Sequence, residues 1–304
     1  MNKTSFIGTY PPLVDHRGLL VRDESIDELR YNTIMPIGET PEELLIRLCT
    51  EAKGKKIWLD LKCRQLRVTE FAYQPFEFVT LNHPIQIDTP FILHAKFGQV
   101  GVHQVVDGRK LILSARPVEL FGAGQPVNIL DKSLKIKGFL TDQDRVFIAV
   151  AKTIGIHSYM LSFVEQEQDI VDILTLDPDA EIIAKIESRR GLQFVDEYYY
   201  KYVGRVRLMA ACDDLYVNMR PDNLDILTAL KQIIAADPTA IAASRILTSL
   251  ETSDQLAMQD IMHLELLKQM GFVNFMLSDR LCFNQESCLE ALMWLRRIKE
   301  IWNE

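Results

Sequence analysis

The sequence is short of several things. Its five cysteines, Cys49, Cys63, Cys212, Cys282 and Cys288, are odd in number and form no C-x-x-C pair. A disulfide framework and a paired-cysteine metal or redox site are therefore not expected. Met1 to Tyr10 carries no charged-then-apolar leader. The longest apolar runs, such as Phe147 to Ala151, fall far below the ~20 residues a membrane helix needs. These absences read as a reduced, cytoplasmic protein with no membrane partner. Positive charge is in deficit too: Lys+Arg is 34 against Asp+Glu 42, a net charge of −8. Nucleic acid is not an expected partner, because phosphate tracking needs a basic surface. A small anionic substrate remains open, since one pocket can reverse the global sign.

What is present is an alternation, in a chain of 304 residues that can bury roughly 75% of its unfolded surface. Short apolar runs near residues 5–9, 28–32, 56–60, 159–163, 181–185, 206–211, 239–243 and 273–277 read as strands. Most are separated by helical patterns. Thr40-Pro41-Glu42-Glu43 is a capping box that opens a helix through Leu44, Leu45 and Leu48, stopped at Gly54. Later helices are expected over 141–155, 166–176, 191–202, 222–235 and 254–270. A last one opens at a second capping box, Ser287 to Glu290. Strands alternating with helices mean a parallel sheet with helical crossovers. Eight units are what a closed (β/α)8 TIM barrel needs. The rival open, doubly wound sheet is weakened because no G-x-G-x-x-G turn follows a strand.

Residues 64 to 130 break the rhythm. Strand-like runs at 78–81, 85–87, 91–94 and 110–113 are separated by turn signals such as Asp88-Thr89-Pro90 and Asp107-Gly108. The predicted organisation is a barrel over 1–63 and 131–304, with a small all-β domain, 64–130, inserted after the third barrel strand.

Barrel active sites form at the C-terminal ends of the strands. Those ends carry Thr9, Arg30, Asn32, Asp60, Lys62, Ser162, Phe163, Lys185, Glu187, Asp213, Asp214, Ser244, Arg245, Ser278 and Asp279. Lys185 and Glu187 are two apart, so both can face the mouth. Glu187 with Asp214 could offer oxygen ligands to a hard divalent cation. Lys185 beside them could neutralise a transferring phosphoryl group. Each signal has a plainer reading. Lys-x-Glu at a strand end is usually a solvated ion pair, and Asp213-Asp214 more often caps a helix or makes a turn. The six histidines show no metal-ligand spacing, and His263 reads as a structural helix residue.

The residues in this order resemble the pyruvate kinase family, across nearly the whole chain at low identity. Ala184-Lys185-Ile186-Glu187-Ser188 through Gly191 is similar to S-K-I-E-N-x-x-G. Met209 to Leu215 resembles M-V-A-R-G-D-L, with Asp214 at the second acid. Ala243-Ser244-Arg245-Ile246-Leu247 resembles A-T-Q-M-L. Leu161 to Val164 is similar to A-S-F-V, and Met276-Leu277-Ser278 to M-L-S. Leu59-Asp60-Leu61-Lys62 through Arg67 is similar to L-D-T-K-G-P-E-I-R, and Arg30-Tyr31-Asn32 to R-L-N. The resemblance implies a phosphotransferase that passes a phosphoryl group between phosphoenolpyruvate and ADP/ATP through a pyruvate enolate. It implies Mg2+ or Mn2+ on Glu187 and Asp214, and catalytic roles for Lys185, Arg30 and Ser244. Arg67 would meet nucleotide phosphate. Asn32, Asp60 and Lys62 complete the cofactor and monovalent-cation positions.

The departures are specific. The Gly before the metal-binding Asp is Asp213, which adds a negative charge where a substrate carboxylate would lie. Two expected potassium ligands are lost: the Thr after Asp60 is Leu61, and Thr33-Ile34-Met35-Pro36 replaces the F-S-H-G stretch. The sequence reaches no further than the eighth barrel helix, so the family's C-terminal domain is expected to be absent. Two other readings follow. One is a metal-dependent lyase or aldolase acting on a 2-oxo acid through an enolate. The other is a non-catalytic binding protein.

Overall fold

Eight parallel strands close on themselves. They are β1 (Ser5–Thr9), β2 (Glu28–Asn32), β3 (Lys56–Leu61), β4 (Ser158–Leu161), β5 (Glu181–Ile186), β6 (Val206–Ala211), β7 (Ile241–Ala243) and β8 (Asn274–Met276). Their order round the closed barrel is β1-β8-β7-β6-β5-β4-β3-β2. This computed structural model describes residues 3–302, apart from 36–37, 96–97 and 119–120. The chain forms two units, Met1–Leu61 with Val146–Glu304, and Lys62–Arg145.

Most barrel strands are buried along nearly their whole length, which explains their near-continuous apolar runs. Ile7, Trp58, Met160, Ile183, Met209, Ile241, Ala243 and Met276 pack as one buried cluster from seven strands. Side chains alternate with period two. So Thr9, Asp60, Ser162 and Lys185, each two residues beyond a member of that cluster, share its inward face one layer up. The apolar layer is thus the floor of a polar one, and the sequence sets this by parity alone.

The Thr40 capping box forms as expected: Glu43 N–H donates to Thr40 Oγ1 at 3.3 Å and Thr40 N–H to Glu43 Oε2 at 2.9 Å. It opens the helix Pro41–Glu51, which buries Leu44, Leu45 and Leu48. The second box does not form. The last helix spans Gln285–Trp302, and Ser287 N–H donates to Asn284 Oδ1 at 2.9 Å. Asn284 takes the capping place and Ser287 lies buried in the first turn. The helix expected from residue 254 starts at Met258. Before it, Ala257 N–H donates to Ser249 Oγ at 2.9 Å. The stretch expected to be helical from 191 starts two residues earlier, as Arg189–Glu197 capped by Ser188, and then tightens to a 3-10 turn at Tyr199–Lys201. Three short helices, Arg17–Arg22, Cys212–Asn218 and Asp279–Phe283, lie outside the expected helical stretches, being too short to show a period. All five cysteines are free thiols, four of them buried. Among the described residues no helix is long and apolar enough to cross a membrane.

The second unit is antiparallel β. Six strands run in the order 128–129, 91–95, 98–106, 110–113, 78–81, 68–72, and a two-stranded ladder joins 135–136 to 85–86. Strand Gly98–Val106 was missed in the sequence because its two glycines and polar residues dilute the alternation; only Val100 and Val102 keep it. Asp107 (φ 50°) and Gly108 (φ 70°) turn it into the next strand. Both sit in the left-handed region that a tight hairpin turn requires. Asp144 ties the unit together, accepting from the backbone N–H of Lys62 at 2.8 Å and of Cys63 at 2.9 Å.

Candidate active site

The polar layer above the barrel floor is a charge network. Arg30 Nε donates to Asp60 Oδ2 at 2.8 Å, and Nη2 donates to the same oxygen. Arg30 Nη1 donates to Thr9 Oγ1 at 3.0 Å and to Asp279 Oδ1. Asn32 Nδ2 donates to the other oxygen of Asp279 at 2.9 Å. Lys185 Nζ donates to Ser162 Oγ at 2.9 Å and lies 3.5 Å from Asp60 Oδ1 and 3.2 Å from Glu187 Oε1. Asp60, Arg30, Lys185 and Glu187 are all buried.

Glu187 is held by one oxygen. Phe163 N–H donates to its Oε2 at 2.6 Å. Phe163 takes a left-handed backbone conformation (φ 52°) just beyond β4. Oε1 is buried with no hydrogen bond, because the Lys185 approach lacks hydrogen-bond geometry. Burial pushes Glu187 up to about 7; Lys185 opposes this and the Asp214 charge adds to it. Burial alone would pull the Lys185 ammonium down. Asp60 and Glu187 outweigh that and hold it above its ordinary value. Arg30 is likewise raised: burial opposes, and Asp279 and Asp60 prevail.

The structure therefore gathers Arg30, Asn32, Asp60, Lys185 and Glu187, with Asp214 near enough for its charge to act on Glu187 and Lys185. Asp214 lies in the first turn of the helix Cys212–Asn218. Ser244 follows β7 with φ 71° and takes no part in these bonds. Lys62 and Arg67 belong to the second unit. Arg67 Nε donates there to Gln65 Oε1 at 3.0 Å, and its Nη1 donates to Gly124 O. Asp213 pairs with Arg245, so its negative charge is matched by a neighbouring cation.

Asp279 is the residue that sequence reasoning underrated. It stood among the strand-end residues, but its bonds to Arg30 and Asn32 arise only because β8 closes against β1. No local pattern carries that.

The donor set fits a hard divalent cation. The layer brings Asp60, Glu187 and Asp279 together with Arg30 and Lys185, and the Asp214 charge acts on Glu187 and Lys185. It also holds an orphaned buried carboxylate oxygen. Such ions take one or two carboxylates and complete their shell with water and substrate. Among the described residues the one group of three clustered ligand-type side chains is His157, Asp177 and Asp179. It lies at the N-terminal strand ends. There Asp177 accepts from Tyr159 Oη at 2.8 Å and pairs with His157 Nδ1 at 2.8 Å. Groups on that face of a barrel serve stability.

If Glu187 is a ligand, cation binding must displace its proton below pH 7. We expect Mn2+ affinity to fall about tenfold per pH unit from pH 7 to pH 5.5, read by titration calorimetry. Affinity flat across that range would show that Glu187 does not ligate.

The fold and this layer define a (β/α)8 barrel with an antiparallel insert and a buried, carboxylate-rich site at the C-terminal strand ends. The chain is homologous to pyruvate kinase over part of its length. It is 29% identical over 150 residues to pyruvate kinase from Lactobacillus delbrueckii subsp. bulgaricus, spanning 47% of this chain and 25% of that protein. No family model matches. The fold is that of pyruvate kinase from Cryptosporidium parvum, with TM-score 0.77 at 16% identity over 98% of this chain and 70% of that one. A second C. parvum pyruvate kinase structure gives TM-score 0.74 at 16% identity, covering 98% and 69%.

Proposed function

We propose that the chain is a divalent-metal-dependent phosphotransferase of pyruvate kinase type. It would move a phosphoryl group between phosphoenolpyruvate and a nucleotide through a pyruvate enolate. The observation that carries this is the buried Lys185–Glu187 pair, 3.2 Å apart, in which Glu187 Oε1 makes no hydrogen bond while Asp60 holds both Lys185 and Arg30 in place.

In this reading Glu187, through its orphaned Oε1, and Asp214 hold the metal. When bound, the metal supplies a positive charge against oxygens on which negative charge develops. Lys185 and Arg30 are the cations that meet the moving phosphoryl group, and charge neutralisation is most of what such a transfer asks of a protein. Asp60 orients both, by two bonds to Arg30 and its contact with Lys185, so neither needs to reorganise during reaction. Ser162 fixes the Lys185 ammonium from the other side. Ser244 is the proposed proton relay at the enolate carbon. In the second unit, Arg67 and Lys62 are proposed nucleotide-binding residues.

Monovalent-cation binding is a weaker part of this reading. Asn32 spends its amide on Asp279, its Oδ1 accepts Ile34 N–H at 3.4 Å, and Leu61 O accepts Ser162 Oγ at 2.9 Å. Those oxygens are already engaged within the protein. This favours the lyase or aldolase reading, whose chemistry needs the divalent metal and the enolate but no monovalent cation.

The test is 31P NMR of phosphoenolpyruvate with ADP and Mg2+. Wild type is expected to form ATP, and Lys185→Met to slow it at least about 100-fold, the loss of one preorganised charge. No transfer by wild type, while the enolate still forms from pyruvate, would replace this reading with the lyase or aldolase one.

A further inference from the structure

Asp213 and Arg245 sit at the neighbouring ends of β6 and β7, beside the proposed metal ligand Asp214. Arg245 Nε donates to Asp213 Oδ1. The two terminal nitrogens of the guanidinium donate to nothing among the described residues. Both side chains are accessible, Arg245 at 65% and Asp213 at 50% exposure, whereas Lys185 and Glu187 are buried below them. The pair therefore lies on the rim of the site and the reacting layer lies on its floor.

Two further observations mark this rim. The segment after β7 is strained: Ser244, Arg245 and Leu247 all have left-handed φ, at 71°, 58° and 55°. Non-glycine residues in that region cost roughly 1–3 kcal/mol each, and such strain gathers at functional sites. Second, His263 on the helix Met258–Met270 has Nε2 buried without a hydrogen-bond partner. Asp260, Arg245 and Asp213 all act on its charge. The His263 imidazole is thus close enough to the pair for their charges to act on it.

We infer that Arg245 is a specificity-determining residue, receiving a second, distal carboxylate on a 2-oxo acid whose reacting end lies on the floor. This rests on the enolate chemistry of the proposed function and extends its substrates from pyruvate to 2-oxo acids that bear a second carboxylate. The guanidinium plane matches a carboxylate through two parallel N–H bonds. Asp213 competes for the same guanidinium, so it weakens binding of substrates that lack a distal charge less than of those that bear one.

The experiment compares two acids of equal chain length, 2-oxopentanedioate and 2-oxopentanoate, by titration calorimetry with Mn2+ present. Wild type is expected to prefer the dicarboxylate about tenfold, a typical charge-assisted difference. Arg245→Gln should bring that ratio to about one while leaving 2-oxopentanoate affinity unchanged. Asp213→Asn should raise the ratio, and in the double variant that gain should vanish. Both side chains are exposed, so neither change threatens folding. An unchanged ratio in Arg245→Gln overturns the inference, including the case where both acids weaken equally, because Arg245 would then meet the end they share. Binding of neither acid by wild type overturns it as well. Pyruvate enolisation without selectivity would remove this inference and leave the proposed function standing. Selectivity without enolisation would do the reverse.

Discussion

Asp60→Asn should destabilise the barrel by about 3–5 kcal/mol, the loss found when one partner of a buried ion pair is removed. Asp60 is fully buried and is approached by two cations at once. Asn keeps the shape and an acceptor but removes the charge. Arg30 would retain Asp279 as a counter-charge and Lys185 would retain Glu187. The remaining balance differs between them. Asp279 is 43% exposed and so interacts through a more screened path, and Glu187 is itself pushed toward its neutral form. Urea unfolding followed by tryptophan fluorescence reads the barrel through its three tryptophans, Trp58 on β3, buried in the floor, and Trp294 and Trp302 on the last helix. A variant as stable as wild type would mean that the layer is not held by this charge.

Glu187→Gln should separate binding from stability. Mn2+ affinity is expected to fall at least about 100-fold, because one of two carboxylate ligands is lost. Stability should not fall with it. Burial raises the folded pKa of Glu187 to about 7, above its ordinary value of 4.5. Between those values the folded protein binds more protons than the unfolded one, so the Glu187 contribution to stability is greatest below 4.5 and is lost as pH rises through 7. At pH 8 the ionised carboxylate is a net cost, which Gln removes. The variant should be at least as stable as wild type at pH 8, with less advantage at pH 5. Gln can still accept Phe163 N–H through its amide oxygen. If Mn2+ affinity survives while stability drops, Glu187 is a structural ion-pair partner of Lys185 and not a ligand.

Much of this site is legible in local pattern. Lys185 and Glu187 stand two apart at the end of an apolar run, and parity alone sets them on one face. The same parity raises Asp60 above Trp58 and Thr9 above Ile7. The eight-strand alternation gives the barrel for the same reason, since each strand is a short run buried on both sides. What escapes the sequence depends on closure or on competition. Asp279 reaches Arg30 only across the β8–β1 seam. Arg245 meets Asp213 because β6 and β7 are neighbours in register, with Ala211 opposite Ala243. Asn284 takes the cap assigned to Ser287 because an amide oxygen was available three residues earlier. In the second unit, the glycines of Gly98–Val106 hide a strand whose pairing on both edges decides its conformation.

The most direct test of a metal-dependent enolate site is 1H NMR of the pyruvate methyl group in D2O, with and without Mg2+, for wild type and Glu187→Gln. The account predicts methyl exchange by wild type that requires the metal and is lost in the variant. Exchange that is independent of metal, or equal in the two proteins, would contradict it; so would no exchange by wild type with the metal present.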